Sequence, residues 1–224
     1  MSLNTKAWFG LVVLTVAMAL LLLVSAGTAR YWQAWVYLAI YFVASALITL
    51  YLMKNDRALL QRRMSGGPAA EKEKTQKMIM LVASIGFATS LIVPALDHRF
   101  MWSHVPLSVV VAGDILTVVW FYAMFRVFRE NTFTSATIEI ADGQRVICTG
   151  PYALVRHPMY AGAVLLFFGM PLALGSYWGL LGFAVVLPAL IWRLLDEERF
   201  LSRNLPGYVA YCAEVRWRLI PGIF

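Results

Sequence analysis

Four stretches of about twenty residues each, near 7–27, 34–53, 78–97 and 106–128, are almost continuous apolar sequence. A bilayer hydrocarbon core is about 30 Å thick and an α-helix rises about 1.5 Å per residue, so roughly 20 apolar residues cross it. Lipid offers the backbone no hydrogen-bond partners, so such stretches must be helices that satisfy their own N–H and C=O groups. Two further apolar runs, about 158–175 and 177–195, are split by Gly175-Ser176. The pattern predicts an all-α integral membrane protein of six spans, or five if one of the last two falls short. The first run, Ala7 to Gly27, is long for a signal-peptide core and reads as a retained span. The chain is 14% charged, against about a quarter in a soluble domain. It is expected to form a single membrane domain, with four spans in 1–128 and a polar, chemistry-bearing half in 129–224.

The net charge of +7 could signal nucleic acid, but the basic residues occupy the gaps between apolar runs and make no solvated patch. They read instead as topology. With the N-terminus inside, the outer loops hold only Arg30 and Arg99, and the other seventeen lysines and arginines lie inside. Both termini are therefore expected in the cytoplasm, with the protein in the inner or plasma membrane of a bacterium or the endoplasmic reticulum of a eukaryote. Tyr31, Trp32, Trp35, Trp102, Tyr177 and Trp178 flank the spans on the outer side, as an interfacial aromatic belt does.

The 54–77 loop, with a turn at Ser65-Gly66-Gly67-Pro68 and a charged run from Glu71 to Lys77, reads as a solvated connector. Cys148 and Cys212 form no CxxC pair, so neither a disulfide framework nor a zinc site is implied. Asp97, His98 and His104 read as outer-loop residues without metal-ligand spacing, and Asp114, alone in the fourth span, as structural.

The candidate chemistry lies after residue 128. In "TIEIADGQRVICTG" an Asp142-Gly143 turn between β-prone runs predicts a small hairpin or loop at the membrane surface. It leads into "TGPYALVRHPMYAG", Thr149 to Gly162. Proline disfavours helical geometry in the residue before it and suits the first helical position, so His157 is a boundary and a helix starts at Pro158. A helix start has unpaired N–H groups and partial positive charge, and can hold a carboxylate or phosphate. Arg156 and His157 sit beside it, and Tyr160 lies on its first turn. Interfacial anchoring alone can place Arg, His and Tyr at a span end; the density of Gly150, Pro151, Tyr152, Arg156, Pro158 and Tyr160 around the inner face's one histidine argues for a site.

A second cluster, "WRLLDEERFL" from Trp192 to Leu201, ends the last apolar run. Arg193 and Glu197, at i,i+4, can bridge. Glu198 lies about 140° round the helix from Arg193 and shares its face only if the helix bends, which Pro188 allows. These carboxylates can equally form a solvated cap. The terminal "NLPGYVAYCAEVRWRLIP" breaks at Pro206-Gly207 and then carries Tyr208 and Tyr211, the pattern of a short interfacial helix able to cover the mouth. There is no GxGxxG, P-loop, GxSxG or HExxH motif, so a nucleotide-like cofactor would need a site of another kind.

The RHPxYxG box, the downstream EExxL and the Tyr208/Tyr211 element together resemble the isoprenylcysteine carboxyl methyltransferase family over roughly 125–224. The resemblance implies S-adenosylmethionine as cofactor. By motif position it implies a pocket lined by Gly150, Pro151, Tyr152, Arg156, His157, Pro158, Tyr160 and Glu197 and closed by Glu198 and Tyr211, with Arg193 and Glu198 as the catalytic pair. A lipophilic small molecule or lipidated substrate, with the bilayer around it, is the implied partner.

The chemistry agrees with this. A carboxylate acceptor is already nucleophilic at neutral pH and needs orientation by a cation, a task suited to the planar arginine fork. An amine acceptor must first lose a proton, which Glu198 could take. Related membrane methyltransferases act on phospholipid amines or thiols. Readings of another class are a sterol-type reductase using NADPH and a non-enzymatic transporter or scaffold.

Overall fold

The computed structural model describes residues 1–64, 66, 71 and 73–224, and within them every regular element is helical. The chain forms α1 (Leu3–Ala26), α2 (Trp32–Asn55), α3 (Arg57–Met64), α4 (Lys74–Phe100), α5 (Leu107–Glu130), α6 (Pro158–Ala173), α7 (Leu180–Asn204) and α8 (Tyr208–Glu214). The turn expected at Ser65-Gly66-Gly67-Pro68 lies, except for Gly66, outside the described residues. Helices α1, α2, α4 and α5 are long and apolar enough to cross a membrane. Of the two remaining apolar runs, α6 has 16 residues, which is shorter than a full crossing, and α7 continues into its charged end.

Lipid-exposed helices gain nothing by hiding apolar groups from one another, so they associate through close backbone approach at small residues. Two such seams organise the protein. Helix α5 meets α6 at Gly113, where an added Cβ would lie 2.2 Å from Ala173 N, and at Gly169, where it would lie 2.8 Å from Leu116 Cβ. Helix α4 meets α7 at Gly182, where a Cβ would lie 2.2 Å from Ser90 Oγ, and at Gly86, where it would lie 2.3 Å from Val186 Cγ2. The seams fix the α6–α7 hairpin between α4 and α5, and so set where its charged end stands.

The helix ends around Tyr31 and Asp97 are tied by buried polar groups. Tyr31 Oη donates to the Leu174 carbonyl at 2.5 Å, and its ring stacks on His98 at 4.1 Å. Asp97 accepts from Ser103 N at 2.8 Å, from Ser103 Oγ and from Ser176 Oγ. Asp97 and His98 therefore belong to the last turn of α4 and not to a loop, because Asp97 is buried by its three donors.

The connector between α2 and α4 differs from the expected solvated loop. Asp56 accepts from Leu59 N at 2.8 Å, which caps α3, and Leu59 and Leu60 bury against Val127 and Phe128. Arg62 donates to the Thr132 carbonyl, and Arg63 to that of Ser135 at 2.9 Å. In the 131–149 segment the Asp142-Gly143 turn forms, with Gln144 N donating to Ala141 O at 3.0 Å and Gly143 at φ +70°. No strands flank it among the described residues. A lone two-stranded ribbon is marginal, and here α3 and α7 hold the segment by its carbonyls and α5 holds its Thr149 hydroxyl through Glu130.

Candidate active site

The box residues lie where the sequence places them, for local reasons. Gly150 begins a single 3-10 turn, Gly150–Ala153, at φ +57°. Glu130, at the end of α5, fills the space a Cβ would need there, 2.8 Å away, and accepts a hydrogen bond from Thr149. His157 is the non-helical residue before α6, with φ −124° and ψ 66°, and Pro158 takes the first helical position. Arg156 and His157 are both buried.

What buries them is the C-terminal segment. Arg156 N donates to the Trp217 carbonyl at 2.8 Å and His157 N to that of Arg218 at 3.0 Å. Tyr211 Oη donates to the Tyr152 carbonyl at 2.7 Å, and Tyr152 Oη accepts from Asn131 Nδ2 at 3.0 Å. Helix α8 buries Tyr208 and Tyr211 against Leu205, with Val146 and Tyr152 packed alongside. The tail thus covers the box, as expected of a lid segment.

Two ionic networks meet at this end. In the first, Glu198 pairs through Oε1 with Arg156 Nε at 2.8 Å and His157 Nε2 at 3.3 Å, and through Oε2 with Arg218 Nε at 2.8 Å. Burial alone would raise the Glu198 carboxyl, but hydrogen bonds from His157 and Arg218 and the nearby charges of His157 and Arg156 outweigh it and hold the group at about 2. Glu198 is therefore ionised at neutral pH and locked. Tyr208 Oη lies 3.4 Å from His157 Nε2. Burial pushes the Tyr208 and Tyr211 hydroxyls up, so both are neutral donors.

In the second, Arg193 donates through Nη2 to Glu71 at 2.6 Å and the Ala136 carbonyl at 3.1 Å, and through Nη1 to Gln76 Oε1 at 2.8 Å. Gln76 Nε2 donates to Asp196. Tyr160 Oη donates to Glu197 at 2.6 Å, and its ring meets His157 edge to face at 5.7 Å.

The i,i+4 bridge expected between Arg193 and Glu197 is replaced by the buried Arg193–Glu71 pair, because α7 turns Arg193 toward α4. Arg193 and Glu198, expected to act as a pair, stand in separate networks, as their angular separation on α7 requires. The carboxylates of 196–198 are not a solvated cap: each bonds a partner, and α7 runs on to Asn204. Sequence reading missed Arg218 and Gln76, and placed Glu71 in a connector; no spacing in the sequence links 71 or 76 to 193, or 218 to 198.

Residues 108–206 match the family model described as phospholipid methyltransferase, a membrane methyltransferase family like the isoprenylcysteine carboxyl type. The matched segment takes in nearly all of α5, the box, α6 and α7; it leaves out Glu71, Gln76, α8 and Arg218. It bears out the resemblance of the C-terminal half and supports a membrane methyltransferase acting on a lipid-type substrate. No curated protein matches the chain.

Proposed function

We propose that the protein transfers a methyl group from S-adenosylmethionine to the carboxylate of a lipophilic, isoprenylcysteine-like acceptor at the cytosolic membrane face. The donor set fits such a cofactor. Arg156, His157 and the α6 start suit its carboxylate, Glu197 and Glu198 its ammonium, and the rings of Tyr152, Tyr160 and Tyr211 its adenine, with Gly150, Pro151 and Pro158 shaping the wall. When bound, it supplies a methyl on a cationic sulfonium, which an acceptor oxygen takes in line as the C–S bond breaks with its electron pair left on sulfur. Arg193 orients the acceptor carboxylate, and Glu198 positions Arg156, His157 and Arg218 around the cofactor. The hairpin keeps the acceptor's tail in lipid, while the box lies at the hairpin's end on the side assigned seventeen of the nineteen basic residues.

The state of Glu198 carries the choice of acceptor. A carboxylate held at about 2 by Arg156, Arg218 and the hydrogen bond from His157 does not take a proton from an ammonium at neutral pH, whereas methylating a carboxylate moves no proton. A phospholipid amine is the second reading. The family description favours it, and Glu197, which accepts from Tyr160, is then the base.

Calorimetry on the detergent-solubilised protein tests the cofactor. Micromolar binding of S-adenosylhomocysteine, lost in His157→Ala, supports the reading. Binding of NADPH in its place moves the protein to the reductase class, and binding of neither removes the site.

A further inference from the structure

Both side chains bonded to Arg193, Glu71 and Gln76, come from outside the methyltransferase match. Glu71 is buried and reaches Arg193 Nη2 at 2.6 Å across 122 positions of sequence. Gln76, also buried, takes Nη1, and Asp196 accepts from the Gln76 amide, so Gln76 is fixed in orientation. The Ala136 carbonyl takes a further N–H. Both terminal nitrogens of the guanidinium are thus engaged, and its charge is cancelled by a carboxylate of the same chain.

A guanidinium buried with a carboxylate at this distance is a strong, geometrically specific pair. An incoming anion cannot simply add to it. A second carboxylate at the pair would be repelled by Glu71 in a poorly solvated place, so the anion has to take Glu71's position. A neutral or cationic head group meets no such competition. We propose that Glu71 is a specificity-determining residue of the acceptor subsite: its carboxylate holds the place on Arg193 that an acceptor carboxylate takes, and the exchange sets how readily an anion enters. This rests on the reading of Arg193 as the acceptor's anchor. It makes the N-terminal half part of the site, because Glu71 and Gln76 precede and begin α4.

Glu71→Gln tests this. It keeps size and hydrogen bonding but removes the competing charge. The probes are oleate, methyl oleate and oleylamine, which share a tail and differ in head-group charge, titrated into full-length protein in detergent at pH 8. Glu71→Gln should tighten oleate binding by about tenfold, as expected for uncovering a buried cation, leave methyl oleate unchanged and weaken oleylamine, whose ammonium the uncovered guanidinium repels. Glu71→Asp, one methylene short of the fork, should fall between the two. Arg193→Gln should abolish the preference for oleate over its ester in either background.

S-adenosylhomocysteine affinity, measured on the same samples, reports folding and the cofactor site separately. If the wild type fails to bind it, the methyltransferase reading falls, while the oleate comparison still reads the subsite. Unchanged or weaker oleate binding in both Glu71 variants, or equal changes for all three probes, overturns the proposal and leaves Glu71 as a structural partner of Arg193.

Discussion

Replacing Glu198 by glutamine isolates the ionic lock at the mouth. The carboxyl falls from its ordinary 4.5 to about 2 in the folded protein. Taken in full, such a depression is linked to about 3 kcal/mol of stability; solvent screening of this partly buried carboxyl reduces this to about 2 kcal/mol. The sign follows from proton uptake. The unfolded chain binds the proton at higher pH than the folded one, so the contribution is complete above pH 4.5 and is lost as pH falls toward 2. By pH 3 rather more than half is gone. Glu198→Gln should therefore lower Tm in detergent at pH 7 and lose S-adenosylhomocysteine binding, with Arg156, His157 and Arg218 left without their shared anion. The Tm difference between wild type and variant should narrow steadily between pH 5 and pH 3. A difference that is constant over that range, or no difference at pH 7, refutes the claim that Glu198 is a partly buried, ionised hub.

Gly113→Ala places a methyl 2.2 Å from Ala173 N, and because the obstacle is backbone the α5–α6 seam must part; a loss of about 3 kcal/mol or more is expected, read as a Tm drop with loss of cofactor binding. Gly150→Ala adds strain at φ +57° and crowds Glu130, so S-adenosylhomocysteine affinity should fall while stability, read from Tm, drops by little more than the roughly 1–2 kcal/mol of a left-handed residue. Tyr31→Phe leaves the buried Leu174 carbonyl without its donor, at a cost of about 1–3 kcal/mol in thermal unfolding, with cofactor affinity unchanged. Arg193→Lys replaces a fork that serves Glu71, Gln76 and Ala136 with a point charge, and turnover on a lipophilic carboxylate should fall at least about tenfold.

Periodicity, length and local chemistry made much of this protein legible before any coordinates. Four apolar runs of spanning length specify helices because lipid leaves the backbone no other partner. His157-Pro158 specifies a helix start because proline restricts its neighbour and pre-sets its own φ. The box, the acidic end of α7 and the Tyr208/Tyr211 helix are local patterns, and local patterns survive in one dimension. Contacts between residues far apart in sequence do not. Only the packing of α7 on α4, through Gly182, Ser90, Gly86 and Val186, turns Arg193 toward Gln76 and Glu71. Only the return of the C-terminal segment, pinned by two backbone hydrogen bonds to Arg156 and His157, brings Arg218 to Glu198. Sequence determined which groups were available at the membrane mouth and which helices carried them; the tertiary structure decided which charge faced which, because ion pairing depends on distances that close helix packing sets and chain separation does not encode.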